Sequence, residues 1–314
     1  MNNKNIKIFL PGGAGLVGQN LVVQLKNQGY FNIVVVDKHS HNLNILKTLH
    51  PDIECIDDDL AKPGTWMSRC VEVDMIVMLQ AQIGAKTSAP FIENNINSTR
   101  YVIEAAKSNS IPYIVHISSS VVESVADDDY TKTKKDQEDM VAASGVNHCI
   151  LRPTLMFGWF DRKHLGWLSR FMKRTPIFPI PGHGKYMRQP LYVKDFCNII
   201  ISCIKIQPDN TVYNITGNEQ VNYIDIIRAI KKVRALKTLI IKIPYSLFWV
   251  LLKIYALFSK NPPFTTDQLE ALMAKDEFEV IPWWEIFNTP ATSFDDAIKE
   301  TFCDKRYSKI TLEF

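Results

Sequence analysis

The sequence predicts a doubly wound α/β fold, in which helices cover both faces of a parallel sheet. The first half of the chain contains a series of short apolar segments rich in Ile and Val. Segments that stay apolar throughout are typical of parallel strands buried on both faces. Helical patterns lie between them, and this alternation indicates a parallel sheet. The predicted strands are 6–10, 32–36, 53–56, 75–79, 113–117 and 148–151, with helices at 16–28, 90–108 and 129–144.

The alternation ends after Pro153, where prolines and glycines cluster between residues 176 and 190. A last strand-like pair, 190–193 and 212–215, flanks a predicted helix at 194–205. We therefore expect two regions that interleave along the chain. Residues 1–152 form the sheet domain, with 188–217 returning to it, while 153–187 and 218–314 form a smaller, mostly helical lobe.

Composition excludes several classes of protein. The 314 residues are 46% hydrophobic and 22% charged, as in a globular chain rather than a disordered one. The net charge is only +3 and the basic residues do not form one run, so no nucleic-acid partner is expected. Six cysteines without a CxxC pair predict reduced thiols in a cytoplasmic protein. The histidines form no metal-ligand pattern, so no metal site is expected.

A glycine motif follows the first predicted strand and opens the first predicted helix. It has the form G-x-x-G-x-x-G, with glycines at 12, 15 and 18. Glycines at such a turn let the backbone approach a diphosphate, and the helix N-terminus offers the amide groups of Leu16 and Val17 to its negative charge. Because strand, turn and helix occur in the required order, the motif predicts a Rossmann dinucleotide-binding domain.

Two acidic residues are expected to select and orient the dinucleotide. Asp37 ends the second predicted strand, where a carboxylate accepts from the adenine ribose hydroxyls and repels a 2′-phosphate. It therefore favours NAD over NADP. Asp59 follows the third strand and is our choice among residues 57–59 for the adenine amine. A solvated acidic turn is an equally good interpretation of Asp57 and Asp58.

A second set of polar residues indicates redox chemistry on an alcohol. Three serines, 118–120, follow the fifth predicted strand, and Tyr130 and Lys134 lie four residues apart on the next helix. A free tyrosine has a pKa near 10, so a nearby ammonium is needed to stabilise the phenolate. A serine hydroxyl can hold the substrate oxygen while the phenolate removes its proton.

In this order the motifs resemble those of the extended short-chain dehydrogenases/reductases, specifically the NAD-dependent epimerase/dehydratase family. The resemblance covers nearly the whole chain and includes segments 95–99, 151–153, 188–195 and 213–217. It implies that Ser120, Tyr130 and Lys134 are catalytic, and that Lys134 also holds the nicotinamide ribose. Further cofactor contacts are expected from the segments that match the family, namely Leu60, Leu79, Ala81, Asn95 and Ser118.

Departures from the family pattern narrow the expected reaction and substrate. The dehydratase branch carries an Asp-Glu pair directly after the hydroxyl residue, whereas Val121 and Val122 follow Ser120 here. Water elimination is therefore disfavoured. Leu155 stands where nucleotide-sugar enzymes of the family usually carry an asparagine that contacts the diphosphate, which weakens the case for an ordinary nucleotide sugar. Arg188 remains as the expected phosphate contact.

Residues 243–258 form a predicted helix that is apolar almost all round. Such a helix is either buried or in contact with lipid. Sixteen residues span roughly 24 Å, which is too short to cross a bilayer, so the helix either packs over the substrate cleft or a dimer interface or lies on a membrane surface. The second interpretation predicts a peripheral protein on the inner face of the membrane.

Three functions remain open on this sequence. We expect an NAD-dependent C4 epimerase or 4-ketoreductase that acts on a nucleotide-linked or polyprenyl-diphosphate-linked sugar in cell-surface polysaccharide biosynthesis. The alternatives are a membrane-peripheral, hydroxysteroid-like alcohol dehydrogenase and a non-catalytic NAD-binding subunit. Retention of Tyr130 and Lys134 argues against the last of these.

Overall fold

The computed structural model describes residues 4–125, 127–258, 266, 269 and 279–313. Its centre is a sheet of seven parallel strands. In chain order these strands are β1 (Ile8–Pro11), β2 (Ile33–Asp37), β3 (Glu54–Asp57), β4 (Met75–Met78), β5 (Tyr113–Ile117), β6 (Asn147–Pro153) and β11 (Thr211–Ile215). Six short strands lie outside the sheet, at Met156–Phe157 (β7), Ile177–Pro181 (β8), Met187–Arg188 (β9), Leu191–Tyr192 (β10), Val221–Asn222 (β12) and Leu239–Ile243 (β13).

The strand order, β11-β6-β5-β4-β1-β2-β3, places a topological switch point beside β1. The chain leaves β1 toward β2 and β3, then returns across β1 to β4. At such a point the loops after the two neighbouring strands diverge and leave a crevice, which is where ligands bind to open α/β sheets. Here the two loops follow Pro11 and Met78, and the Leu79 amide donates to the Pro11 carbonyl at 2.9 Å.

Helices cover both faces of this sheet. They are α1 (Leu16–Asn27), α2 (Ser40–Leu49), α3 (Ala89–Phe91), α4 (Ser98–Ser108), α5 (Asp129–Ala142) and α7 (Val193–Ile206). Successive strand residues point to opposite faces, so that Ile8 and Leu10 pack with α1 and α7 while Phe9 packs with α4 and Trp66. This double burial explains why the predicted strands are apolar at every position.

The smaller lobe has its own hydrophobic core. It is built on α6 (Leu165–Arg174), α8 (Tyr223–Val233) and α11 (Phe294–Cys303), whose inward residues include Met172, Ile227 and Ile298. β8 pairs in parallel with β13 at its edge. Two further helices, α9 (Tyr245–Phe258) and α10 (Trp283–Ile286), follow β13.

The structure agrees with the predicted doubly wound sheet and differs in some details. Of the segment 188–217 that was expected to return to the sheet, 211–215 pair with β6, whereas Leu191 and Tyr192 pair with β7 outside it. The sequence did not predict α2. The expected single helix at 90–108 is interrupted by a π-helical stretch at Ile92–Asn97. The division into an NAD-binding domain and a substrate lobe at the predicted boundaries stays a prediction.

Candidate active site

The glycine loop leaves an open surface at one of its three glycines. A side chain on Gly12, whose φ is +77°, would meet the Gln80 backbone at 2.4 Å, and one on Gly18 would meet the Gly13 carbonyl at 2.1 Å. A side chain on Gly15 would meet no atom closer than 3.7 Å. Packing within the protein therefore accounts for Gly12 and Gly18, whereas Gly15 keeps clear the space in front of the α1 N-terminus.

That space fits the diphosphate of a dinucleotide. Gly15 is the N-cap of α1 and has no side chain to cap the helix, so the first amide groups, including those of Leu16 and Val17, have no side-chain acceptor there. Helix N-terminal amides and the dipole favour an anion. A bound NAD would use two features of this loop. One is the space at Gly15 that a Cβ would fill, which we call the diphosphate cradle, and the other is the set of uncapped amides.

Asp37 lies beside this loop, at the end of β2. Its Oδ2 accepts from the Ala14 amide at 3.0 Å and its Oδ1 from the His39 amide at 2.9 Å. Burial raises the pKa of the Asp37 carboxyl, and the two backbone N–H groups act in the opposite direction. Each oxygen retains a further lone pair, so the carboxylate can still accept from ribose hydroxyls.

The acidic residues after β3 separate into two kinds. Asp58 accepts from the Thr65 hydroxyl at 3.0 Å and the Trp66 amide at 3.2 Å, so it holds the turn that follows. Asp59 accepts from the Ala61 amide and pairs with the Lys38 ammonium at 3.5 Å, and its side chain remains 31% exposed. Its assignment to adenine stays a prediction.

Asn95 connects the loop after β4 with α5. Its Oδ1 accepts from the Gln82 amide at 2.6 Å, and its Nδ2 donates to the Thr133 hydroxyl at 2.9 Å. The side chain is fully buried. Asn95 thus holds two elements of the site together, which its π-helical position allows. Its predicted contact with the cofactor stays a prediction, as do those of Leu60, Leu79, Ala81 and Ser118.

Tyr130 and Lys134 share one face of α5, as predicted. Asp128 caps this helix by accepting from the Thr131 amide at 2.9 Å. Lys134 is fully buried, and its Nζ donates to the Ile117 carbonyl, at the end of β5, at 3.0 Å. Burial lowers the pKa of Lys134 to about 7, while the Glu138 carboxylate acts to raise it.

The three serines have different surroundings. The Ser118 hydroxyl donates to Glu138 Oε1. Burial raises the pKa of Tyr130, and a side-chain hydrogen bond with Ser119 lowers it. Ser120 begins a 3₁₀ turn that extends to Glu123. The structure therefore brings Ser119 to the tyrosine, and the catalytic role expected for Ser120 stays a prediction.

Three charged residues that sequence reasoning missed form a network under the serines. Arg152, in β6, donates from Nε to Glu138 Oε1 at 2.9 Å and from Nη2 to Oε2 at 2.6 Å. Its Nη1 also pairs with Glu123. One signal in the sequence could have indicated Glu138. It follows Tyr130 and Lys134 at the same spacing of four residues, which places all three on one face of the helix.

Arg188 lies outside the seven-stranded sheet. It belongs to β9, where it pairs with Val221, and its Nη1 donates to the Met187 carbonyl at 2.7 Å. Its positive charge acts to lower the pKa of Tyr223, which burial raises. The predicted phosphate contact of Arg188 stays a prediction.

Comparison with known proteins identifies the family. Residues 8–216 match the model of the NAD dependent epimerase/dehydratase family. The chain belongs to this family. The resemblance inferred from the motifs is confirmed, and so is the NAD cofactor expected for it.

Relatives and solved structures agree with this assignment. A trifunctional UDP-glucose 4,6-dehydratase/epimerase/reductase of Arabidopsis thaliana is 25% identical over 72% of this chain and 39% of its own length. A dTDP-D-glucose 4,6-dehydratase of Dictyostelium discoideum is 23% identical over 73% of this chain and 63% of its own length. The chain thus spans less than two thirds of either relative.

Among solved structures, the fold is similar to that of a UDP-N-acetylglucosamine 4-epimerase from Methanobrevibacter ruminantium in complex with UDP-N-acetylmuramic acid. The TM-score is 0.72 and the identity 17%, with 95% of this chain and 97% of that chain covered. At this identity the likeness concerns the fold. It confirms the doubly wound α/β class predicted from the sequence.

Substitution of single glycines should separate folding from cofactor binding. We expect Gly15→Ala to fold with a stability change below about 1 kcal/mol, because its Cβ meets open space. It should weaken NAD binding by at least about tenfold, or roughly 1.4 kcal/mol, because the methyl group occupies the diphosphate cradle. Melting curves and NAD titration measure the two effects.

Gly18→Ala is the matched control for that variant. Its Cβ would collide with the Gly13 backbone, so we expect Gly18→Ala to lower the stability of the fold itself. Any loss of NAD binding in this variant would follow from that loss of stability. A Gly15→Ala protein that binds NAD as tightly as the unmodified protein would contradict the assignment of the cradle.

Titration with both dinucleotides tests Asp37. NAD should bind more tightly than NADP by about tenfold, because the Asp37 carboxylate repels a 2′-phosphate. Equal affinities for NAD and NADP in the unmodified protein would remove Asp37 from the role of ribose reader.

Proposed function

We propose that the protein is an NAD-dependent sugar C4 epimerase or 4-ketoreductase that works through a 4-keto intermediate in cell-surface polysaccharide biosynthesis. The observation that carries the proposal is the hydrogen bond between Ser119 and Tyr130, on the helix face that also carries the buried Lys134. This is the arrangement needed to move a proton to or from a secondary alcohol. The family and its NAD cofactor supply the redox partner.

The residues of α5 and the β5 loop divide the reaction between them. Ser119 holds the substrate oxygen, and Tyr130, as a phenolate, accepts the hydroxyl proton of C4. The Lys134 ammonium stabilises that phenolate, which burial alone would disfavour. Bound NAD would supply the hydride acceptor for C4, and its reduced form the hydride donor. An epimerase would use both forms in one cycle, with hydride added to the opposite face of the ketone, whereas a ketoreductase would use only the reduced form.

Elimination of water is less well supported. It needs an acid and a base next to the serine that holds the substrate. Ser120 and Val121 follow Ser119, and Val121 and Val122 follow Ser120, so no carboxylate is adjacent with either assignment. The two relatives are named as dehydratases, and this chain lacks the adjacent carboxylates that such a reaction needs.

The carrier of the sugar is either a nucleotide or a polyprenyl diphosphate. Leu155, which replaces the asparagine usual in nucleotide-sugar enzymes, is 41% exposed and uses its carbonyl to accept from the Leu191 amide. An apolar side chain at this position cannot hydrogen-bond a diphosphate. The substitution favours a carrier with a larger apolar part.

Variants of the serines and Tyr130 test the reaction. Tyr130→Phe should reduce turnover by about 10² to 10⁴, because it removes only the atom that moves the proton. Ser119→Ala should cause a comparable loss, and Ser120→Ala, its matched control, a much smaller one. The assay follows interconversion of C4 epimers or reduction of a 4-keto sugar, with NAD binding measured in parallel. Full activity of Tyr130→Phe would contradict the mechanism, and a larger loss in Ser120→Ala than in Ser119→Ala would return the role to Ser120.

We also propose that α9 rests on an anionic membrane surface. Four of its apolar side chains are exposed at spacings of three and four residues, and so form one outward stripe on the helix. They are Leu247 (50%), Val250 (44%), Leu251 (46%) and Ile254 (47%). Phe248 faces inward with 9% exposure. Within the ranges that the structure describes, no helix has both the length and the apolarity to span a bilayer.

The charge around this helix fits an anionic surface. Residues 162–194 contain eight Lys and Arg and no Asp or Glu, and residues 226–258 contain seven and none. The pairing of β8 with β13 brings these two segments side by side. Lys242 and Lys253 flank the apolar stripe and are exposed. Interfacial helices combine such an apolar face with basic residues.

Flotation with vesicles tests this contact. The protein should float with vesicles that contain phosphatidylglycerol, less with phosphatidylcholine alone, and less at high salt. The double variant Leu247→Ser, Leu251→Ser should lose flotation with stability changed by under about 1 kcal/mol, since both residues face outward. Phe248→Ser, the inward control, should lower stability by several kcal/mol. Absence of flotation of the unmodified protein would contradict the membrane contact.

A further inference from the structure

A buried charged network lies directly beneath the candidate catalytic residues. The Glu138 carboxylate is 9% exposed and accepts from the Ser118 hydroxyl and from two nitrogens of Arg152. It is four residues from Lys134 on the same face of α5. The network therefore joins three elements, since Ser118 follows β5, Glu138 lies on α5 and Arg152 lies on β6.

The negative charge of Glu138 also stabilises the charged form of Lys134. The Lys134 Nζ is fully buried and hydrogen-bonds the Ile117 carbonyl, a neutral acceptor. On β5, His116 is fully buried, and burial keeps its pKa well below the usual range, so it is uncharged. On the helices that pack against α5, the charged side chains of Glu93, Arg100 and Glu104 are exposed. Glu138 is thus the negative group that counteracts the effect of burial on the pKa of Lys134.

We propose that Glu138 is a positioning residue that keeps Lys134 in its ammonium form while it fixes the end of β5 through Ser118 and Arg152. The inference rests on the proposed function in one respect, which is that Lys134 must be charged to stabilise the Tyr130 phenolate. The effect of Glu138 on the charge of Lys134 does not depend on any substrate. The proposed role of Glu138 and the proposed function can therefore fail separately.

The direction of the effect follows from the charges. Burial lowers the pKa of Lys134 to about 7, and Glu138 opposes that change. Without the Glu138 carboxylate, the pKa of Lys134 falls further and the ammonium is lost at a lower pH. Arg152 would keep its ion pair with Glu123. The alkaline limit of turnover should therefore move toward lower pH.

Glu123 provides a matched control. It pairs with the same Arg152 through Nη1, but its side chain is 50% exposed and it lies on the 3₁₀ turn rather than on the Lys134 face of α5. Glu123→Gln removes a carboxylate from the same arginine without removing the group four residues from Lys134. An effect of Glu138 that works only through Arg152 would appear in both variants.

The decisive experiment is NMR titration of protein with isotopically labelled lysine side chains, in which Lys134→Met identifies the Lys134 signal. Glu138→Gln should lower the titration midpoint of Lys134 by about one pH unit or more, as expected for loss of a neighbouring opposite charge. Glu138→Asp should restore part of the shift, and Glu123→Gln should leave the midpoint unchanged. If Glu138→Gln does not fold, Glu138→Gln with Arg152→Met removes both buried charges and should still lower the midpoint.

The pH profile of turnover provides a second reading of the same variants. In Glu138→Gln the alkaline limb should shift down with the Lys134 midpoint, while the profile of Glu123→Gln should match the unmodified protein. An unchanged Lys134 midpoint in the folded Glu138 variants, or an equal shift in Glu123→Gln, would overturn the proposal. Absence of turnover in the unmodified protein would instead contradict the proposed reaction. The titration of Lys134 would still test the role of Glu138, because it needs no substrate.

Discussion

Lys134 places an ammonium group in the interior, beneath the surface at which the sheet domain meets its ligands. Burial of a charge is tolerated only where hydrogen bonds and an opposite charge compensate the loss of hydration. Here the compensation comes from the Ile117 carbonyl and from Glu138. Because Ile117 ends β5 and Glu138 lies on α5, the requirement fixes how the helix sits on the strand. The position of Tyr130, one turn earlier on the same face, follows from that arrangement.

The same constraint organises the residues around it. Arg152 balances the charge of Glu138 and ties β6 to α5. On the other side of the helix, Asn95 binds the loop after β4 to Thr133. The cofactor loop lies next to β4 at the switch point, so the glycine motif and the end of β5 are at the same edge of the sheet. In the proposed function, the position of Tyr130 therefore depends on one well-anchored helix.

The fold and the outline of the site could be predicted because they depend on local patterns. Strands buried on both faces need apolar residues at every position, and the glycine motif needs a strand before it and a helix after it. The choice among Ser118, Ser119 and Ser120 could not be predicted, because neighbouring residues point in different directions and the 3₁₀ turn after β5 decides which one reaches Tyr130. The partner of Glu138 was also hidden, since Arg152 is distant in sequence. In α9 the outward stripe could not be recognised because the helix is apolar on nearly every side.

The most direct measurement is rapid mixing of the NAD-loaded protein with UDP-glucose, UDP-glucuronic acid, UDP-N-acetylglucosamine or a polyprenyl-diphosphate sugar while absorbance is followed at the wavelength of reduced nicotinamide. We expect a transient rise with at least one of these donors, because Tyr130 is proposed to remove the C4 hydroxyl proton as the hydride leaves. The rise should disappear in Tyr130→Phe although NAD remains bound. Absence of any rise with all of these donors, or a rise that persists unchanged in the variant, would contradict the account.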